Sequence, residues 1–263
     1  MRDSYSENKE RNHSPVMRKT FFRFYEELND HLPPNQRKRK FVYPFKGRPS
    51  VKNSIQAIGV PHGEVDLILV DGEPVDFSYQ LRGGEHVSVY PVFESMDISP
   101  VSRLRSAPLR DTRFIVDVNL GKLALKLRLL GFDTLFRNDF GDDEIVRISL
   151  EEKRIILTRD KELLKQNAVN HGYWIRSDDP KKQMKEVTDR FQLSQNFRPF
   201  SRCPSCNGSL GPIEKAQLMG RISEDTLGYY DQFWQCKGCG KVYWRGSHFR
   251  HILKWIEDLK SGG

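Results

Sequence analysis

Four cysteines in two close pairs limit the folds open to this chain more than any other feature. Cys203-Pro204-Ser205-Cys206 and Cys236-Lys237-Gly238-Cys239 are both C-x2-C knuckles, and together they hold every cysteine of the 263 residues. Two knuckles supply four thiolates, the donor set of a closed tetrahedral zinc site. Such a site is structural, because no coordination position remains for a substrate. Redox-active or metal-free thiols are the competing reading. The stretch between the knuckles exceeds the usual ribbon spacing, so a loop around Met219 to Tyr230 has to be accommodated as an insertion. Late, paired cysteines are unlike the spread of a secreted disulfide scaffold, and they predict a reducing, cytoplasmic setting.

The rest of the composition narrows the partner. A net charge of +8 favours a polyanion, because basic side chains gain by releasing the counterions that phosphates hold. RNA, DNA, ribosomal contacts and anionic lipid all fit that sign, and so does a merely soluble basic protein. No apolar run approaches the ~20 residues that span a bilayer, so no membrane segment is expected. The opening MRDSYSENKERNHSP lacks an apolar core behind its charges. It reads as a polar, disordered tail over residues 1–19 and not as a secretory leader.

Hydrophobic periodicity divides the remainder. Thr20–Glu26 is aromatic and strand-like, the basic run Gln36–Lys40 reads as a loop, and Phe41–Tyr43 reads as strand. A short helix is predicted over Ser50–Ile58, followed by strands at Val65–Val70, Val75–Phe77 and Val87–Tyr90. Strands around one helix predict a compact α+β module over residues 20–95. Residues 96–112, rich in Ser, Pro and Arg, read as a linker with a basic cast. Beyond them, strands at Phe114–Val118, Arg154–Thr158 and Tyr173–Ile175 alternate with helices, the pattern of a parallel α/β sheet. One of those helices carries Leu120, Leu123, Leu127 and Leu130 on one face and stops at Gly131; its cations Lys122, Lys126 and Arg128 are placed on other faces.

In an open parallel sheet ligands gather outside the strand carboxyl ends. Asp117 ends the first strand of the second domain, Asp160 follows RIILT, and Asp142 and Asp143 open a helix between them. Carboxylates that converge without basic partners repel one another unless a hard cation sits among them. Magnesium or manganese suits oxygen ligands and activates water toward a phosphodiester. Each aspartate has a plainer reading as a helix cap. Asn119 could bind a phosphate or metal-bound water, or cap the leucine helix. Lys122 and Arg159, together with Lys241, Trp244 and Arg245 beside the second knuckle, are candidate nucleic-acid contacts. Charge interleaved with aromatic rings grips single strands, although the same rings could simply pack a small ribbon. His248 and His251 read as imidazoles at the surface or hydrogen-bonded beside the ligands, with four cysteines already available for the metal.

The continuous order FIVDVNLGKLALKLRLLGF, DDEI, LTRD, RSDDP, RCPSCNGSL and QCKGCGKVYWRGSH resembles the ribonuclease-type domain at the carboxyl end of Mut-seven exonucleases. That resemblance runs from about Arg113 to Trp255 and implies a PIN-like α/β fold over 113–198 with a zinc ribbon over 199–257. It implies a metal-dependent ribonuclease: Asp117 and Asp160 as magnesium or manganese ligands, Asp142 with neighbouring Asp143 as the helix acid, and zinc on the four cysteines. A fourth acid of the family pattern is met here only by Glu162. The segment from about Phe21 to Phe93 resembles the ubiquitin-like β-grasp module that precedes such domains. Gly262-Gly263 follows a different domain and is not read as a conjugation tail. RNA, with tRNA and rRNA among the candidates, is the implied partner, and the β-grasp module offers a surface for a protein partner or for RNA. A non-catalytic RNA- or ribosome-binding adaptor, and cleavage of DNA, stay open.

Overall fold

A computed structural model describes residues 16–91, 103–104 and 112–260. The first fifteen residues of the expected tail, most of the expected linker, Gly262-Gly263 and the side chain of His248 lie outside the described residues. The chain forms two compact units, residues 1–60, 65–92 and 98–106 in one and 61–64, 93–97 and 107–263 in the other.

The first unit is a β-grasp-like sheet with one helix. Strands β1 (Met17–Phe24), β2 (Phe41–Lys46), β3 (Val65–Val70), β4 (Glu73–Val75) and β5 (His86–Pro91) lie in the order β2-β1-β5-β3-β4. The β1–β5 pair is parallel and its neighbours are antiparallel. Period-two alternation in β1 sends Phe22 and Phe24 into the core, while Lys19 and Arg23 stay exposed. Helix α1 (Val51–Ile58) covers that core with Val51 and Ile55. The Ser50 hydroxyl caps it by accepting from the Asn53 N–H at 3.2 Å, and Gly59 closes it at φ 114°, a conformation glycine adopts without strain. Two expectations shift here. β1 begins at Met17, and the fourth strand is Glu73–Val75, because its register with β3 ends there.

Among the described residues the second unit holds a four-stranded parallel sheet, a ribbon and six α-helices. β6 (Arg113–Val116), β7 (Asp133–Leu135), β8 (Ile155–Thr158) and β9 (Gly172–Trp174) run in the order β7-β6-β8-β9. Phe114, Val116, Ile155 and Leu157 face α2 (Gly121–Leu129), α5 (Pro180–Arg190) and α7 (Ser247–Lys260). Ile115 and Ile156 face α3 (Asp142–Glu152) and α4 (Lys161–Lys165). Burial on both faces explains why β6 and β8 read as unbroken apolar runs. Gly131 ends the leucine helix at φ 96°; a Cβ there would stand 2.3 Å from the Arg198 carbonyl oxygen. The ribbon is antiparallel, β10 (Leu210–Ile213), β11 (Phe233–Cys236) and β12 (Val242–Trp244), and the insertion before β11 carries the short helix α6 (Glu224–Tyr229).

Three local expectations need correction. Strand β7 is absent from the sequence reading, since three residues with two polar side chains carry no periodic signal. Gly141 is the N-cap of α3, so Asp142 and Asp143 are its first two helical residues and neither is its cap. Arg128, placed off the leucine face of its helix, is nonetheless buried, at 5% exposed.

Candidate acidic site and metal centre

The strand order places the first crossover reversal between β6 and β8, where helices leave toward opposite faces. Open α/β sheets bind ligands at that switch point; Asp117 follows β6 directly, and Asp160 stands two residues past the end of β8. Asp117 is 7% exposed. It precedes a single 3-10 turn, yet its side chain caps nothing. Instead its Oδ2 accepts a 2.7 Å hydrogen bond from the Thr158 hydroxyl, which in turn accepts from the Asp160 N–H at 2.8 Å. One buried threonine thus ties both aspartates, and no feature of the sequence had singled it out. Asp160 does cap α4, its Oδ1 accepting from the Glu162 N–H at 2.8 Å.

Asp142 and Asp143 are exposed at the start of α3. Partial burial, then the negative charges of Asp160, Asp117 and Asp143, hold the Asp142 carboxyl above its ordinary value. Its field therefore reports the other three acids. Among the described residues, however, only the four cysteines form a group of three or more ligand atoms close enough to share an ion. The acids stand within electrostatic range of one another without forming a closed cage. Glu162 turns away and pairs with Lys165 at 2.7 Å. Asp179 caps α5 through the Lys181 and Lys182 N–H groups. Its neighbour Asp178 instead lines a cleft of about 530 Å³ with Asn119, Lys122, Asn138 and Gln183. Asn119 and Lys122 are exposed there, and Arg159 is exposed next to Asp160.

The cysteine centre is compact: all four Sγ atoms lie within 4.8 Å of one another. The sulfurs of Cys206 and Cys236 at 3.3 Å, and of Cys203 and Cys239 at 3.7 Å, are far further apart than in a disulfide. Left-handed turns at Asn207 (φ 69°) and Gly240 (φ 72°) fold each knuckle back on itself. A Cβ on Gly208 would meet the Cys236 sulfur at 2.9 Å. Burial opposes ionisation of Cys236, yet the Cys239 and Gly238 N–H groups and the Cys206 thiol outweigh it and pull the thiol down to about 7. Burial pushes Cys206 up to about 12. Tyr243 adds its hydroxyl at 3.0 Å from the Cys203 sulfur. Soft sulfurs at this spacing fit a tetrahedral metal such as zinc.

Buried Arg128 joins this centre to the sheet. Its guanidinium donates to the Thr134 carbonyl at 2.8 Å and to the Pro204 and Ser205 carbonyls inside the first knuckle. Asn207 and Arg202 reach from the same knuckle to Asp133. The remaining nucleic-acid candidates sit on the ribbon. Lys241 donates to Ser205 at 2.7 Å, and Trp244 and Arg245 line a cavity of about 310 Å³ with Trp234 and Phe249. The Arg245 guanidinium lies over the Trp234 ring at 5.4 Å. His251 is exposed, in line with its expected surface role.

Comparison with protein families decides the kinship. Residues 112–256 match the Mut7-C RNAse domain, and residues 17–97 match the Mut7-C ubiquitin domain. The chain belongs to the Mut7-C RNAse family. Both resemblances read from the sequence are thereby met, as is the fold class: a β-grasp-like sheet, a parallel α/β sheet and a cysteine cluster consistent with a zinc ribbon. The Mut7-C RNAse domain makes this a nuclease-like chain, for which RNA is the suggested substrate. No curated protein and no solved structure matches. Among the described residues no helix is long and apolar enough to cross a membrane.

Proposed function

We propose that this Mut7-C chain is a metal-dependent ribonuclease that hydrolyses RNA phosphodiester bonds at Asp117, Asp160 and the Asp142–Asp143 pair. The observation that carries the reading is the Thr158 bridge: a buried carboxylate that caps no helix, fixed beside a second one at the sheet's switch point. Magnesium or manganese bound there would polarise the phosphate and ease ionisation of a water. The chain's own residues do the rest. Asp117 and Asp160 would hold the hard cation, with Asp142 and Asp143 adding negative charge beside them. Asn119, Lys122 and Arg159 hold the RNA backbone beside them, with Lys241, Trp244 and Arg245 giving a second grip on the ribbon. In this reading residues 113–198 form the PIN-like domain, 199–257 the zinc ribbon and 20–95 the ubiquitin-like domain, joined by a linker at 96–112. The setting is cytoplasmic.

The test is incubation of the purified chain with structured and single-stranded RNA, and with DNA, in manganese, magnesium or chelator. Asp117→Asn and Asp160→Asn should each lower metal-dependent cleavage at least about a hundredfold, the scale of losing a group that stabilises developing charge. Full activity in either variant would end the proposal. One observation favours a second reading, a non-catalytic RNA- or ribosome-binding adaptor: the acids do not close into a cage among the described residues. That reading predicts salt-sensitive RNA binding unchanged by the same substitutions and no cleavage with any metal.

A further inference from the structure

The open face of the β-grasp sheet carries a pattern that the acidic site does not use. Register places Phe21 opposite Val42 on one side and His86 on the other, and Arg23 opposite Ser88, so these residues share the face turned away from α1. Sheet faces that meet only water are ordinarily polar. This one holds two ring pairs. Phe21 and His86 stack with centroids 4.9 Å apart, and Tyr25 and Tyr90 stack at 4.2 Å. Each pair has a cation at one end: Lys40 lies 5.3 Å above Phe21, and Arg23 lies 5.0 Å above Tyr25. Lys19, Arg23, Lys40 and His86 are exposed, and the four-ring set is nowhere fully buried on its aromatic members.

Cross-strand stacking alone would account for rings that steady a sheet. It does not call for a cation on each pair, nor for the exposed basic run Lys38-Arg39-Lys40 that enters β2 from the loop. Phe21 and Tyr25 are four residues apart on one extended segment, which sets the two ring pairs about 13 Å apart along the strand. Planar platforms at such spacing, bordered by positive charge, match the chemistry of an unpaired polynucleotide. Bases stack on the rings while phosphates meet the cations. Acidic side chains border one end of the face, where Glu26, Glu27 and Asp30 line a hollow with Arg23, Tyr25 and Lys38.

We propose that this face of the ubiquitin-like module is a binding site for single-stranded RNA, separate from the acidic site and independent of any divalent metal. Two variant classes of the full chain, each carrying Asp117→Asn, test it by fluorescence anisotropy in chelator with labelled twelve-nucleotide uridine and adenosine strands. Phe21→Leu and Tyr90→Leu keep the apolar contact and remove a ring. Each should weaken binding at least about fivefold and leave the salt slope unchanged. Arg23→Gln with Lys40→Gln should flatten the log–log salt dependence by about 1.4, two phosphate contacts on a single strand. Circular dichroism melting confirms that the β-grasp unit stays folded, and the exposed Gln pair keeps the test decisive if a Leu variant does not. Parent-like affinity in folded variants overturns the site. Equal binding of an RNA duplex overturns the stacking role. Ring-dependent capture of poly-glutamate without RNA capture overturns it in favour of an acidic protein partner. Cleavage by the wild-type acids is read separately in manganese, so failure of either proposal leaves the other measurable.

Discussion

Thr158 serves two acidic positions with one hydroxyl, donating to Asp117 and accepting from the Asp160 backbone. Replacing it with valine keeps the shape and strands a buried carboxylate without its donor. Thr158→Val should cost about 2 kcal/mol in chemical denaturation of the metal-free chain, the scale of a lost hydrogen bond to a charged group. A value near zero would mean that Asp117 has another donor. Asp142 carries the opposite sign of effect. Its folded carboxyl sits above the ordinary value, through burial first and then the charges of Asp160, Asp117 and Asp143. The folded chain therefore holds this proton more tightly than the unfolded chain does. The ionised group opposes folding at neutral pH, and that opposition fades as pH falls through the raised value toward the unfolded one. Asp142→Asn should raise the thermal midpoint at pH 7 in chelator and lose that advantage near pH 4. Equal midpoints across the range would show that the acids do not repel one another.

Strand β7 shows how elements with little local signal are held. Asp133 opens it, and Arg154, Arg202 and Asn207 converge on its carboxylate. Burial pushes Asp133 up, but the hydrogen bonds from Arg154 and Asn207 and the charges of Arg154 and Arg202 bring it below its ordinary value. A depressed carboxyl contributes stability above its unfolded value and loses that contribution as pH falls toward the folded one. Asp133→Asn should therefore cost roughly 2 kcal/mol at pH 7, less than a fully buried pair because some solvent contact remains. The deficit should shrink in acid, as denaturation at pH 7 and pH 3 would show. The same contacts explain what periodicity could reveal. RIILT and FIVDV announce themselves because both of their faces are buried. Asp133–Leu135 pairs with β6 on one side, and on its other side a helix arginine and a distant knuckle satisfy the Thr134 carbonyl and amide.

All four tryptophans, Trp174, Trp234, Trp244 and Trp255, belong to the second unit, so their emission reports that unit alone. Zinc on four cysteines contributes on the order of 10 kcal/mol in small domains, which rivals the ~5–15 kcal/mol total stability of a typical domain. The knuckle is also bonded to α2 and β7 through Arg128, Asn207 and Arg202. Stripping the metal, or substituting Cys203→Ser, should thus red-shift tryptophan emission, release one zinc per chain and lower the unit's melting transition. An unchanged emission spectrum and metal content would remove zinc from the fold.

Family, sheet type, the cysteine centre and the positions of Asp117 and Asp160 follow from local patterns, because burial period and ligand spacing are written in neighbouring residues. Which acid is capped, which is bridged and which is crowded could not be read that way. Gly141 took the cap expected of Asp142, Thr158 tied Asp117 to Asp160, and Arg128 turned inward to the knuckle's carbonyls. Those outcomes depend on partners brought together from far along the chain. A buried charge or hydroxyl settles wherever its hydrogen bonds can be completed, and only the folded arrangement decides where that is.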